Sequence, residues 1–279
     1  MTNMSVFARD HARIYFEDHG SGEPIIAVHG LIENTTYWKY IAEDITKKYR
    51  FIPMDMRGHG RTIVDGEPFG FDVETIGDDI EALADHLGIG RFHLLTHSTG
   101  GFAGARYAMR NSGRLASLIL TDTGSSTSVL PGDPESIRII HDKFARSFEK
   151  YDWEQMIAGV RVIPGPFFRG IMESPRSEDL LQSAYEMIRL SDRATVAEFV
   201  RRFYNDPDPR VEGLRATRCP VLIIYGEKDD LFIESSKLMA KEIPGARLIE
   251  YSGAGHMTAL EEPRRLAQDI IEFAGLHKV

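Results

Sequence analysis

The sequence is poor in cysteine, in positive charge and in long apolar runs. Its single cysteine, Cys219, excludes an internal disulfide and makes a thiolate metal cluster untenable. The 33 lysines and arginines against 42 aspartates and glutamates give a net charge of −9, which argues against a nucleic-acid or anionic-membrane partner. No apolar stretch is long enough to span a bilayer, and residues 1–15 contain no apolar signal core. We therefore expect a cytoplasmic protein that binds neither nucleic acid nor membrane.

Short apolar strands alternate with helical patterns along much of the 279 residues. Continuous apolar strands separated by helices are typical of a parallel sheet that is covered by helices on both faces. The fold class is therefore expected to be α/β. The predicted strands are residues 12–18, 24–28, 51–56, 92–96, 115–121, 221–225 and 247–251. The helices predicted between them include 37–49, one that starts after the N-cap Asp72, 99–109, 235–242 and one that starts at Pro263.

The alternation stops between residues 124 and 217, where no good strand pattern occurs. Pro164-Gly165-Pro166 and the Asp-Pro repeat at 206–209 are predicted to interrupt the helices of this segment. Because strands resume after it, we interpret it as a helical insertion into one α/β core made of residues 1–123 and 218–279. Helical periodicity within the insertion occurs at 137–149, 153–160, 177–190 and 195–204.

The most distinctive local pattern is Thr96-His97-Ser98-Thr99-Gly100, which comes directly after an apolar strand. A strand that turns sharply into a helix holds its middle serine on a strained corner with the hydroxyl exposed, in the pattern G-x-S-x-G. Here Thr96 replaces the first glycine. Ser98 is therefore a candidate nucleophile, and an ordinary helix N-cap is the alternative interpretation.

A serine nucleophile needs a base, and the base needs an acid that orients it. His256 follows the last predicted strand in a glycine-rich turn, and an imidazole titrates near neutrality. Asp229 follows the preceding strand and is the preferred acid. Glu227 and Asp230 beside it, and Asp122 after an earlier strand, remain alternatives.

An oxyanion hole needs two backbone N–H groups that point at one position. Thr99, at the start of the helix after Ser98, is one candidate donor, and Leu31, two residues after His29, is the other. His29 is expected to brace its loop through side-chain hydrogen bonds. The glycine-rich loop at 55–62 is expected to be a structural turn rather than an anion site. The histidines show no metal-ligand spacing, so we expect no metal.

Together these motifs resemble those of the α/β-hydrolase superfamily, over nearly the whole chain. More narrowly, the chain is similar to the small cap-bearing group of enol-lactonases, carboxylesterases, perhydrolases and meta-cleavage C–C hydrolases. The resemblance implies a mostly parallel sheet with helices on both faces, a helical cap at 124–217, a triad of Ser98, Asp229 and His256, and no cofactor. The motifs that carry it are Val28-His29-Gly30, Asp-x-Arg-Gly-His-Gly at 55–60, the turn at Ser98, Gly-x-x-Asp at 226–229 and Gly255-His256.

The resemblance also implies acyl transfer to Ser98, because haloalkane dehalogenases and epoxide hydrolases of similar sequence use an aspartate instead. The apolar side chains of the insertion favour a small, uncharged or singly charged ester or lactone as substrate. A C–C hydrolase, a perhydrolase and a non-enzymatic ligand receptor with the same fold are the alternatives. A monomer or a homodimer is expected. The side chains expected to contact substrate are His29, Ile32, Trp38, Phe167, Phe168 and Met257.

Overall fold

The computed structural model describes residues 3–67, 69–128 and 133–279. Residues 1, 2, 68 and 129–132 of the predicted core and insertion lie outside the described residues. Within the described residues the strands are β1 (Asn3–Arg9), β2 (Ala12–Gly20), β3 (Glu23–Val28), β4 (Tyr49–Met54), β5 (Ile63–Val64), β6 (Phe92–His97), β7 (Leu115–Thr121), β8 (Val221–Gly226) and β9 (Arg247–Tyr251). They form one sheet in the order β1-β2-β4-β3-β6-β7-β8-β9, with β5 paired to β2.

The strands from β4 through β3, β6, β7 and β8 to β9 run parallel, whereas β1, β2 and β5 add an antiparallel edge. Successive residues of a strand point to opposite faces of the sheet. Ile25 and Leu95 accordingly pack in the core on one face, and Ile26 and Leu94 pack in the core on the other. Burial on both faces explains the continuous apolar strands, and it confirms the predicted α/β class with a mostly parallel sheet.

Helices cover both faces of the sheet, and none in the described part of the chain is long and apolar enough to cross a membrane. The insertion predicted between β7 and β8 contains a run of helices in its described residues. The α-helices are α1 (Lys39–Thr46), α2 (Val73–His86), α3 (Ser98–Asn111), α4 (Pro134–Lys150), α5 (Trp153–Val162), α6 (Gly165–Glu173), α7 (Ser177–Ile188), α8 (Arg193–Phe203), α9 (Val211–Ala216), α10 (Ile233–Glu242), α11 (Thr258–Glu261) and α12 (Pro263–Gly275). Short 3-10 helices occupy Thr35–Trp38 and Ser112–Arg114.

The antiparallel edge was not predicted. β1 and β2 form a hairpin whose turn residues, Asp10 and His11, adopt φ values of 40° and 62°. Glycine is the usual signal for such a conformation, and neither position carries it. Asp and His adopt such a conformation more often than other non-glycine residues, so the hairpin leaves only a weak turn signal in the sequence, and the two-residue strand β5 is too short to leave one.

Two helix boundaries also differ from the prediction. Gly165 adopts a φ of 59° and Pro166 lies in the first turn of α6, so the Pro-Gly-Pro segment starts a helix instead of interrupting one. The helix predicted at 37–49 ends at Thr46, because Tyr49 already pairs with β3 as the first residue of β4.

Gly104 of α3 accommodates Thr96, the residue that departs from the usual strand-to-helix turn. Thr96 is fully buried at the end of β6, where its hydroxyl donates to the Ile119 carbonyl over 3.3 Å. A β-carbon added to Gly104 would lie 2.7 Å from Thr96 Cγ2. The threonine methyl group thus takes up space that the glycine in the facing helix leaves free.

We expect the substitution Gly104→Ala to destabilise the protein. Alanine stabilises a helix interior by about 1 kcal/mol relative to glycine, but overpacking against Thr96 Cγ2 typically costs about 1–3 kcal/mol. Chemical denaturation should be compared in the wild-type and Thr96→Ser backgrounds, since serine removes Cγ2 and keeps the hydroxyl. The loss should be smaller in the Thr96→Ser background, and equal losses in both would contradict the contact.

Candidate active site

Ser98 lies at the turn from β6 into α3 in a left-handed backbone conformation. Its φ is 48°, which costs a non-glycine residue on the order of 1–3 kcal/mol and persists only where its surroundings hold it. Thr123 Oγ1 donates to the Ser98 carbonyl over 2.6 Å, and the Gly100 N–H donates to the His29 carbonyl over 3.0 Å. Ser98 Oγ lies 3.0 Å from His256 Nε2. This contact of the hydroxyl favours a nucleophile over an ordinary helix N-cap, whose side-chain oxygen would bond a backbone N–H of the first helical turn.

His256 and Asp229 reach Ser98 from the loops that follow β9 and β8. His256 Nε2 lies 3.0 Å from Ser98 Oγ, and His256 Nδ1 lies 2.9 Å from Asp229 Oδ2. All three residues are buried, and the rings of Phe232 and Phe167 pack against the imidazole at centroid distances of 5.3 Å and 5.0 Å. A serine hydroxyl in such a hydrogen-bonded chain can pass its proton to the imidazole and act as a nucleophile.

Two of the alternative acids bond outside this chain of hydrogen bonds. Glu227 Oε2 accepts a hydrogen bond from the Gly253 N–H over 2.7 Å. The Asp230 carboxylate forms an exposed ion pair with Arg169 at 2.7 Å. Both side chains are thus engaged at the surface, away from the imidazole of His256.

Asp122, the third alternative, joins loops instead of orienting His256. Its Oδ1 accepts from the Gly226 N–H over 2.9 Å, and its Oδ2 accepts from the Thr258 hydroxyl over 2.7 Å. Burial and the charge of nearby Asp229 raise the pKa of Asp122 well above its ordinary value. This carboxyl therefore ties the end of β7 to the end of β8 and to the start of α11.

The two predicted oxyanion donors, Leu31 and Thr99, both line the space beside Ser98. Thr99 lies in the first turn of α3, where backbone N–H groups have no partner within the helix. Gly30 approaches the serine so closely that an added β-carbon would lie 2.9 Å from Ser98 Cβ. The loop after β3 therefore brings the Leu31 backbone next to the serine.

His29 holds this loop in place. The Met56 N–H donates to His29 Nε2 over 3.0 Å, and His29 Nδ1 donates to the Gly30 carbonyl over 2.8 Å. Because Nε2 accepts, the ring is neutral, and burial lowers the pKa of His29 well below its ordinary value. The side chain is fully buried, so the expectation that His29 contacts substrate is corrected. Its two hydrogen bonds are those expected of a side chain that holds its own loop in place.

The loop after β4 is held as a structural turn. Asp55 accepts hydrogen bonds from the backbone N–H groups of Thr35 and Arg61 over 2.6 Å and 2.7 Å. The fully buried Arg57 guanidinium forms a bidentate pair with Asp79 at 2.7 Å and 2.9 Å. Both charged groups are bonded to protein partners, whereas an anion site would need a cation that is free to bind the anion.

Among the residues that the structure describes, no cluster of His, Cys, Asp or Glu side chains could hold a metal ion.

An ion pair between His97 and Glu33, which was not predicted, lies buried next to Ser98. His97 Nδ1 lies 2.9 Å from Glu33 Oε2, and His97 Nε2 lies 2.8 Å from the His256 carbonyl. Because both partners accept, both ring nitrogens donate and the ring is an imidazolium. Burial alone would lower the pKa of His97, but Glu33 and Asp122 outweigh it and raise the pKa to about 9.

This ion pair connects three loops of the site. Glu33 Oε2 also accepts from the Gly30 N–H over 2.5 Å. The loop after β3, the turn at Ser98 and the loop of His256 are therefore joined through one carboxylate and one imidazolium. One signal in the sequence could have indicated this ion pair: His97 ends a mostly apolar strand. A polar side chain that is buried there needs a buried partner.

Two spaces, called here the larger and the smaller chamber, adjoin Ser98. Their volumes are about 250 Å³ and about 40 Å³. Leu31, Ser98, Phe144 and Phe167 line both chambers. The larger chamber is otherwise lined by Thr99, Phe102, Ile140, His141, Pro166, Tyr204, Leu231 and Phe232. The smaller chamber is otherwise lined by Ile32, Glu33, Phe168, His256 and Met257.

Four of the six expected substrate contacts lie at these chambers. Phe167 lines both, and Ile32, Phe168 and Met257 line the smaller one. Trp38 and His29 line neither chamber. The Trp38 side chain is instead fully buried in the hydrophobic core. The order of residues after a strand indicates which loop is near the site, but it does not indicate which side chains turn into the core.

We expect the substitution Glu33→Gln to change how stability depends on pH. A histidine whose pKa is raised on folding stabilises the protein fully below its unfolded pKa near 6.5. That stabilisation is lost as the pH rises through about 9, and its size is on the order of 3 kcal/mol. Between pH 6.5 and 9 the free energy of unfolding of Glu33→Gln should therefore fall less steeply than that of the wild type. Denaturation at several pH values measures this, with Glu43→Gln on α1 as the exposed control, and parallel curves would contradict the ion pair.

The chain is similar to known hydrolases in sequence and in structure. Residues 25–269 match the sequence model of the alpha/beta hydrolase family. The AB hydrolase superfamily protein YisY of Bacillus subtilis (strain 168) is 27% identical, over 95% of this chain and 96% of that protein. A non-heme haloperoxidase of Rhodococcus erythropolis is 27% identical, over 96% and 98%. The structure of a thermophilic esterase from Thermogutta terrifontis is 27% identical with a TM-score of 0.75, covering 100% of both chains. The protein belongs to the alpha/beta hydrolase family.

Proposed function

We propose that this hydrolase cleaves small, uncharged carboxylic esters and lactones through an acyl-enzyme. Ser98 is the nucleophile, His256 is the general base and acid, and Asp229 orients and stabilises the imidazole. The observation that carries the proposal is the hydrogen-bonded chain from Ser98 Oγ through His256 to Asp229, which adjoins an uncharged chamber.

In the proposed mechanism His256 Nε2 takes the proton of Ser98 while Oγ attacks the ester carbonyl. The N–H groups of Leu31 and Thr99 stabilise the oxyanion, and the loss of one such donor typically lowers turnover on the order of a hundredfold. His256 then protonates the leaving alkoxide as its bond to the carbonyl carbon breaks. Water that is deprotonated by His256 releases the acid from Ser98. In a lactone the leaving oxygen stays tethered, but the steps are the same.

The lining of the larger chamber favours an apolar acyl group over a charged one. Of the described residues that line it, none is Asp, Glu, Lys or Arg. Burial lowers the pKa of His141 in this lining, which favours its neutral form. A carboxylate would lose its hydration there without a cation to pair with it. Substrates of meta-cleavage C–C hydrolases carry a carboxylate, so this lining disfavours that alternative.

Perhydrolysis is the second candidate, because one relative that is 27% identical over 96% of this chain is named a non-heme haloperoxidase. Peroxide would then replace water in the release of the acyl group from Ser98. A hydrolase-fold receptor would instead show slow single-turnover hydrolysis together with ligand-dependent binding of a partner protein. Ester hydrolysis measured under multiple turnover, with and without peroxide, separates these three activities.

The substitution Ser98→Ala removes the attacking oxygen, so kcat for methyl butyrate and methyl hexanoate should fall by about a millionfold, to background. The melting temperature should stay nearly unchanged, because only one oxygen atom is lost. Ser183→Ala on α7, whose serine lines neither chamber, is the control and should keep full activity. A Ser98→Ala variant that still turns over would refute the proposed nucleophile.

Asp229→Asn should lower kcat about ten-thousandfold, because the amide favours the wrong histidine tautomer. Asp122→Asn is the matched control, since it makes the same change in a second buried carboxyl. It should lower the melting temperature through the bonds to Gly226 and Thr258, with a far smaller effect on kcat. If Asp122→Asn instead causes the large loss of turnover, the orienting acid must be reassigned. Steady-state kinetics and thermal denaturation of both variants provide the two measurements.

A further inference from the structure

The two chambers beside Ser98 differ about sixfold in volume and take up different sides of the serine. The larger one, about 250 Å³, is lined by Thr99, Phe102 and Tyr204 but not by His256. The smaller one, about 40 Å³, is lined by His256 and Met257. The smaller chamber therefore has room for only a short part of a substrate, and the larger chamber has room for a longer one.

The proposed mechanism decides which part of an ester enters each chamber. The carbonyl oxygen must point at the N–H groups of Leu31 and Thr99, and the leaving oxygen must lie within hydrogen-bond reach of His256 Nε2. The leaving alcohol therefore extends on the side of His256. The acyl chain, bonded to the same carbon, takes another direction, and the larger chamber, which His256 does not line, is the space available for it.

We infer that the enzyme selects esters of a short alcohol, methanol or ethanol, that carry their longer apolar chain on the acyl side. This inference rests on the proposed function and narrows its substrate class. The smaller chamber admits only a short alcohol beyond the leaving oxygen, whereas the larger chamber accepts the acyl chain. After the alcohol has left, the same small space admits the water that hydrolyses the acyl-enzyme.

Phe144 and Phe167 are the two aromatic side chains that line both chambers. Phe167 also packs edge-on against His256 at 5.0 Å, so its truncation would disturb the base. Phe144 lies on α4, is 36% exposed and packs against Phe148 at 5.1 Å. Phe144 is therefore the specificity-determining residue whose side chain can be shortened with the triad left intact.

Methyl hexanoate and pentyl acetate test the inference, because they are isomers and differ only in which side of the ester carries the long chain. Each turnover consumes one water and releases one acid and one alcohol, so titration of released acid measures both. A single misplaced methylene changes kcat/KM about 10–200-fold, so methyl hexanoate should be preferred at least about tenfold. Equal rates, or a preference for pentyl acetate, would overturn the inference and leave the proposed function standing. Hydrolysis of neither isomer would refute the proposed function itself, and the inference with it.

Phe144→Ala should enlarge the smaller chamber and raise kcat/KM for pentyl acetate, so that the preference for methyl hexanoate falls at least about threefold. The matched control is Ile140→Ala, one turn earlier on α4, which lines the larger chamber alone. There the preference should stay the same or increase. Phe144→Leu gives the same comparison with a smaller cavity if the alanine variant is unstable. An unchanged preference in the folded Phe144 variants would show that Phe144 does not set the specificity.

Discussion

The buried ion pair between His97 and Glu33 is the interaction on which the rest of the site depends. Glu33 accepts hydrogen bonds from His97 and from the Gly30 N–H, and His97 donates to the carbonyl of His256. A buried charge that loses its partner is costly, typically about 3–5 kcal/mol. The loop of Gly30 and the loop of His256 are therefore both held against the turn at Ser98. The loop after β3, the turn at Ser98 and the loop of His256 keep their mutual distances because one charged pair joins their backbones.

The parallel sheet supplies the second constraint, because the carboxyl ends of β6, β7 and β8 lie side by side. Ser98 after β6 and Asp122 after β7 both adopt left-handed conformations, with φ values of 48° and 50°. Such residues persist where neighbouring structure holds them, and here Thr123 bonds to Ser98 while Asp122 bonds to Gly226. The strained backbone that turns the serine hydroxyl toward His256 is thus held by contacts between adjacent strand ends.

Strand ends can be located from the amino-acid sequence, whereas the direction in which a side chain turns cannot. Ser98, Asp229 and His256 could be grouped into one predicted site because each comes after a strand of one parallel sheet, and such ends meet at one edge. The same logic failed for Trp38, which lies near the site in sequence but packs into the core. The contact by which Gly104 makes room for Thr96 could not be predicted from the sequence either. A helix residue and a strand residue meet there only through tertiary packing.

The shape of the space around the serine, more than the triad, distinguishes the activities that this arrangement could support. Esterases, lactonases and perhydrolases use the same three groups, so the proton transfers between Ser98 and His256 do not discriminate among them. In the proposed mechanism His256 serves the leaving alcohol first and the attacking water second, and both would occupy the smaller chamber, which His256 lines. Water, at about 30 Å³, fits whatever the substrate is. In the proposed mechanism the alcohol is therefore the partner that this chamber restricts, and Phe144 and Phe167 are among the side chains that line it.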